Sequence, residues 1–378
     1  MYLMMKENGN LESTSEQGPE VEKTVLSRRS FHRLMMGTGL SAGLGTGAVW
    51  SAPAKGRIKI GQIGTKHAHA GGQLAAVRAC DDFEVVGVVE PDEAQRQKVK
   101  DHADYAGLPW LTEEQLLQTP GLQAVAVETD VAGLLDAAEK VVNAGLHLHL
   151  DKPAGESLPQ FQRILEMATK HQKLVKMGYM FRYNPAFQLM IQAVRDGWLG
   201  RVFAIHAEMS KLLSDGERLG LVQYKGGSMF ELGCHLIDSV VRVLGKPEAV
   251  MPHVRKTRPD NWPDNMLAVL DYKEATVSVR SSMVEVDGGS RRQFVVCGEY
   301  GTVEIRPLEP AGMILTLDRP RGPYKKGRQE VKFEKAPRYL ADWMDFAKAI
   351  RGEVRWEFAP EHDLIVQETV LKAAGMMR

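Results

Sequence analysis

From Arg57 to Gly178 the chain alternates short apolar, β-branched runs with helix-compatible stretches, and this alternation narrows its fold more than any other feature. The apolar runs are Arg57–Ile63, Phe83–Val89, Leu122–Val127, Leu146–Leu150 and Lys173–Gly178. Between them lie Ala68–Cys80, a polar stretch from Pro91 to about His102, Leu134–Ala144 closed by Gly145, and Leu158–His171. A strand that runs parallel to the one before it needs a crossover of about a dozen residues or more, which a helix supplies. The pattern therefore predicts an α/β fold with a doubly wound parallel sheet over residues 55–178.

After Tyr179 the texture changes. Pro185–Arg195 and Met229–Leu244 read as helices. The runs Val202–Lys211, Met266–Tyr272, Thr276–Met283, Gln293–Cys297, Thr302–Ile305, Met313–Leu317 and Glu330–Phe333 read as strands. Turn signals such as Gly288-Gly289 and Pro320-Arg321-Gly322-Pro323 separate them. Strands joined by short turns predict an α+β domain with a large, mainly antiparallel open sheet over residues 179–378, closed by amphipathic helices at Arg338–Arg351 and Glu361–Met376. Two domains suit a length of 378 residues, and with no low-complexity linker between them they should share a broad interface. Lysine plus arginine and aspartate plus glutamate both number 48, so no net charge draws the chain to nucleic acid or an anionic bilayer. Three cysteines exclude a disulfide scaffold.

The first strand-to-helix turn, Gly61-Gln62-Ile63-Gly64-Thr65-Lys66-His67-Ala68-His69, stands where a Rossmann domain cradles a dinucleotide pyrophosphate. Gly64 fits the first glycine of that fingerprint. Lys66 and His69 replace the second and third, and Lys66 offers a cation to a phosphate. Glu90 ends the second strand, where a carboxylate accepts ribose hydroxyls and repels a 2′-phosphate, so NAD is expected over NADP. The competing reading of Glu90 is a carboxylate at a helix start, complementing the dipole.

Three further segments carry chemistry: Asp151-Lys152-Pro153 after a strand, Gly178-Tyr179-Met180-Phe181-Arg182-Tyr183-Asn184-Pro185, and Gly226-Gly227-Ser228-Met229-Phe230-Glu231-Leu232-Gly233-Cys234-His235-Leu236-Ile237-Asp238. Together with Gly64 and Glu90, in this order and spacing, they resemble the Gfo/Idh/MocA family, the relatives of glucose–fructose oxidoreductase and inositol dehydrogenase. The resemblance spans residues 57–378. It implies an NAD(P)-dependent oxidoreductase acting on CH–OH groups of a sugar or polyol, with Gly64, Thr65, Lys66, His67, Glu90, Thr129, Asp151, Lys152 and Pro153 along the cofactor. Lys152 would meet both nicotinamide ribose and substrate, its bond to Pro153 being cis. His235 would be the general acid/base and Glu231, four residues earlier on one helix face, would orient it. Arg182 and Asp238 would join Glu231 and His235 around the substrate. Thr129-Asp130-Val131 departs from the family pattern, as does Glu231, where aspartate is commoner. Two alternatives remain open: a glycosidase of the same fold using transient redox, and a non-catalytic carbohydrate-binding relative with a decayed nucleotide site. A homo-oligomer is also left open.

His147, His149 and Asp151 alternate on one strand and share a face, with His67 and His69 at the adjacent strand end. Such clusters suit zinc. The resemblance nevertheless implies a metal-free site.

Residues 1–54 read as an export leader. Ser27-Arg28-Arg29-Ser30-Phe31 precedes a glycine-rich, weakly apolar run from Leu34 to Trp50, and Ala52-Pro53-Ala54 offers small residues for cleavage. Paired arginines before so weak an apolar core resemble a twin-arginine signal, which carries folded proteins to the periplasm. A nucleotide-binding fold exported in this way would take its cofactor in the cytoplasm and hold it tightly. Changing Arg28 and Arg29 to lysine should trap the precursor in the cytoplasm; fractionation showing unimpaired export would reject the leader.

Overall fold

The structure, a computed structural model, describes Glu22–Val25, residues 56–335 and residues 337–377. The expected leader's arginine pair and cleavage motif lie outside the described residues; Glu22–Val25 forms the edge strand β1. The first domain holds β2 (Ile58–Ile63), α1 (Ala70–Ala79), β3 (Phe83–Val89), α2 (Glu93–Val99), α3 (Glu113–Leu117), β4 (Leu122–Val127), α4 (Val131–Asn143), β5 (His147–Leu150), α5 (Leu158–Lys170) and β6 (Val175–Met177). Its five strands run parallel in the order β3-β2-β4-β5-β6, so chain order reverses at β2. An open sheet leaves its crevice outside the carboxyl ends of the strands at such a point. Four helices start on side-chain caps, with Asp92, Thr112, Asp130 and Ser157 each accepting a backbone N–H. A cap of this kind contributes about 1 kcal/mol. Helix α1 has none, and its first turn carries no acidic residue.

The second domain adds α6 (Pro185–Arg195), β7 (Val202–Glu208), α7 (Asp215–Leu221), a π turn at Met229–Gly233, α8 (Cys234–Leu244), β8 (Ala249–Arg255), β9 (Asn265–Tyr272), β10 (Ala275–Ser282), β11 (Gln293–Gly298), β12 (Gly301–Ile305), β13 (Met313–Leu317) and β14 (Gly327–Lys332). The sheet order is β1-β14-β13-β12-β11-β7-β10-β9-β8; the β10–β7 and β1–β14 pairs are parallel and the others antiparallel. This is the parallel sheet followed by a large, mainly antiparallel one that the sequence pattern predicts. The sequence reading omits β8, whose Pro252 argues against a strand. At the sheet edge a missing N–H costs little.

The last two helices, α9 (Leu340–Ile350) and α10 (Pro360–Ala373), return to the first domain. Trp343 is fully buried, donates from Nε1 to Gln73 at 2.9 Å and packs edge-on against Phe83 with ring centroids 5.5 Å apart. Arg351 pairs with Asp82, and Gln367 bonds both Ala154 N and Gly155 O. The physical division is thus between two sheets rather than at one point in the chain. Trp343→Ala should cost about 3–5 kcal/mol by cavity formation. Chemical denaturation checks this, and hydrogen exchange should show α1 and β3 losing protection together.

Candidate active site

The turn after β2 is held by a buried carboxylate. Glu90 accepts from Thr65 N at 2.9 Å, Thr65 Oγ1 at 2.7 Å and Asp92 N at 3.1 Å. Glu90 thus stands at the carboxyl end of β3, as expected, and there clasps the turn. Lys66 is exposed and pairs with Asp92 at 2.9 Å, which holds its ammonium above the usual range through the hydrogen bond to that carboxylate. Gly64 has φ +89°, and a Cβ there would meet Thr129 N at 2.6 Å, so only glycine lets the β2 and β4 ends approach this closely. Thr129 itself is half-buried and bonds Asp130 O. The uncapped, acid-free start of α1 beside this turn fits an anionic pyrophosphate.

Lys152 follows β5, and its bond to Pro153 is cis. Its fully buried Nζ donates to Glu231 O at 2.8 Å and meets Glu231 Oε1 at 3.2 Å. Burial works against this ammonium, but the charges of Glu231 and Asp151 outweigh it and hold the pKa above the usual lysine range. Glu231 sits in the π turn rather than in a regular α-helix; such turns cluster at functional sites. Gly227, at φ +59°, leads into the turn against Pro263 O, where a Cβ would lie 2.0 Å away. His235, one residue into α8, is buried with no hydrogen-bond partner on Nδ1. Burial first, then the charge of Lys152, pushes its pKa well below the usual value, so the imidazole is neutral at pH 7. Lys152, Glu231 and His235, expected as the catalytic trio, thus lie on adjoining segments, the end of β5, the π turn and the start of α8. The neighbouring Cys234 is buried, and burial lifts its thiol to about 12. It is a packing residue.

Asp151, expected along the cofactor, lies beneath the turn after β2. The side chain is fully buried and faces inward, with Oδ1 accepting from Lys152 N at 2.6 Å and lying 3.2 Å from His69 Nδ1, and Oδ2 lying 2.9 Å from His67 Nδ1. His67 is likewise buried, its Nε2 3.1 Å from Lys152 O. Pro153 is buried too. Glu128, which the sequence reading passes over, completes this cluster from the end of β4, with His149 Nε2 at 3.0 Å from its Oε1. Burial and the adjacent Asp151 raise the Glu128 carboxyl well above its usual range. Burial also opposes charge on Asp151, but the two histidines hold that carboxylate well below its own. A single acidic residue ending an apolar strand, Val127-Glu128, was the available signal.

Arg182 and Asp238, expected around the substrate, are both buried in an ion cluster. Arg182 Nη2 lies 2.7 Å from Asp238 Oδ1 and also pairs with Asp363 on α10, while its guanidinium stacks 3.9 Å from the Phe358 ring centre. Three segments distant in sequence meet on this one cation. Burial opposes its charge, yet Arg182 and His362 hold the Asp238 carboxyl down at about 2, while burial raises that of Asp363.

This arrangement of fold and crevice is shared with known proteins. Residues 58–179 match the NAD-binding Rossmann fold of an oxidoreductase family, and residues 187–304 match the GFO/IDH/MocA C-terminal domain. The chain belongs to the Gfo/Idh/MocA oxidoreductase family. Among curated relatives it is 26% identical over 255 residues to D-xylose 1-dehydrogenase (NADP(+)) 2 of Haloferax volcanii, covering 66% of this chain and 76% of that one. UDP-N-acetylglucosamine 3-dehydrogenase from Acidithiobacillus ferrooxidans shares the fold at TM-score 0.70 and 17% identity, over 85% of this chain and 98% of the other. A 3-ketoreductase from Actinomadura kijaniata, solved with NADP, does so at TM-score 0.68 and 16% identity, over 84% and 96%. Among the described residues no helix is long and apolar enough to cross a membrane.

Removing Arg182 leaves two buried carboxylates without their cation, so Arg182→Met should cost about 3–5 kcal/mol. The lowered Asp238 pKa stabilises the fold above its unfolded value of about 4. That contribution is lost as pH falls through about 2, so acid titration of Asp238→Asn should show a shallower decline than wild type over this window.

Proposed function

We propose that this protein is an exported, NAD-dependent oxidoreductase that exchanges a hydride between nicotinamide and a hydroxyl-bearing carbon of a sugar or polyol. The observation that carries the reading is the charged, buried Lys152 beside Glu231, with a neutral His235 on the next helical turn. Removing hydride from a secondary alcohol leaves an oxygen whose proton must go to a base and whose growing charge needs a cation. The neutral His235 imidazole is the base that takes that proton. Lys152 stays protonated and stabilises the alkoxide, while the Glu231 carboxylate fixes the ammonium. When bound, the nicotinamide supplies the hydride acceptor; Gly64, Thr65 and the first turn of α1 would hold its pyrophosphate.

A sugar or polyol substrate is supported by what the relatives named above act on, a pentose and a nucleotide sugar among them. For NAD over NADP the support is charge. Glu90 follows β3 beside Asp92, and an acidic residue at that strand end repels a 2′-phosphate. Two of those relatives use NADP by name, so direct titration decides the point. Export and tight cofactor retention rest on the sequence at Arg28-Arg29.

The test uses folded wild type and variants. Lys152→Met and His235→Asn should each lower kcat by about 100-fold or more, the range for lost acid–base or electrostatic help. NAD should bind more tightly than NADP, and Glu90→Gln should narrow the gap. Full activity in either catalytic variant removes that residue from the mechanism, and a wild-type preference for NADP overturns the reading of Glu90.

A further inference from the structure

We propose that His67, His69 and Asp151 form a binding site for a divalent transition-metal ion. The turn after β2 supplies the two imidazoles and the residue after β5 the carboxylate, and their ligand atoms all lie within 4.8 Å of one another. The two close approaches are 2.9 Å, His67 Nδ1 to Asp151 Oδ2, and 3.2 Å, His69 Nδ1 to Asp151 Oδ1. Ligands about 2.1 Å from one metal ion stand about 3.0–3.4 Å apart along the edge of an octahedron or tetrahedron, which these separations nearly match.

Direction separates this from simple hydrogen bonding. Asp151 Oδ2 is fully buried and receives no hydrogen bond, although His67 Nδ1 is 2.9 Å away. Glu128 Oε2, 3.7 Å from the same nitrogen, is also buried without a donor. On the far side of the ring, His67 Nε2 faces the Lys152 carbonyl at 3.1 Å and so carries the proton. In the neutral ring Nδ1 then holds the one lone pair, which a bound ion would take over from its 3.2 Å contact with His69 N. That lone pair beside the Asp151 carboxylate is repulsive unless a cation, whether a metal ion or a second ring proton, lies between them. A ligating histidine that donates its other N–H to a backbone carbonyl is the usual arrangement around bound metals. Two imidazole nitrogens with carboxylate oxygen favour zinc, iron(II) or cobalt(II) over magnesium or calcium.

The place gives the ion a use. The His69 ring centre lies 6.2 Å from that of His235, and His67 is bonded to the Lys152 carbonyl. A substrate hydroxyl or carbonyl oxygen that reaches His235 therefore also comes near the ion. The site stands independently of the hydride reading, because metal binding is measured without turnover.

The experiment titrates chelator-treated full chain with Co²⁺ and then Zn²⁺, following visible d–d bands and calorimetric stoichiometry. One equivalent of Co²⁺ should bind, displaced by Zn²⁺. His69→Gln, half-buried at the turn, should weaken binding beyond the about 10–100-fold typical of losing an outer-shell partner. His102→Ala, at an exposed position, should not. Asp151→Asn should abolish binding; circular dichroism checks its fold, and His69→Gln carries the test if it fails. Absence of d–d bands in folded wild type overturns the site, as does unchanged affinity in His69→Gln. So does an ¹⁵N spectrum showing His67 doubly protonated with Co²⁺ present, because an imidazolium paired with Asp151 explains the contact without a metal.

Discussion

A lysine ammonium taken wholly out of water needs a carboxylate within reach, and Lys152 finds its carboxylate in the other domain. The Lys152–Glu231 contact joins the end of β5 to the π turn before α8. Losing one partner of such a buried pair typically costs about 3–5 kcal/mol, so the pair resists separation. It also fixes the chemistry. Lys152 keeps its proton because Glu231 is there, and His235 is kept neutral partly because Lys152 is charged. The interface between the domains and the candidate active site are one set of contacts. A ligand that reaches the lysine must compete with the Glu231 carboxylate for it.

Much of this was legible in the sequence because it rests on local rules. Strand–helix alternation specified the parallel sheet, and turn-separated β-rich runs specified the second one. Lys152 at a strand end and His235 on an apolar helix were singled out by the order and spacing of motifs that resemble the family. What the sequence hid depended on facing. Arg182 lies in a polar, aromatic stretch that reads as crevice wall, and only the return of α10 with Asp363 reveals it as a buried strut. The π turn at Met229–Gly233 leaves no mark on a hydrophobic period that still reads as α-helix. Glu128 is one carboxylate at the end of an apolar run. Its meaning came from β5 lying beside β4, which puts His149 against it.

Four acidic and histidine side chains from separate strand ends concentrate in one place. Lys66 and His69 replace glycines in the first turn, Glu128 ends β4, and Asp151 follows β5. These ends are neighbours in the sheet, and His67, His69, Glu128 and Asp151 meet beneath the turn. Residues scattered along the chain thus form one largely buried cluster.

The return of the final two helices sets an order of events during synthesis. Trp343 closes over Gln73 and Phe83, and Gln367 ties down the backbone just after Pro153. Until residues 340–373 have left the ribosome, the nucleotide-binding half lacks the lid on its core. It cannot mature before that segment emerges, however early its own strands do. Completion of the nucleotide-binding half therefore waits on a segment far from it in sequence, and truncation within residues 340–373 would damage the first domain.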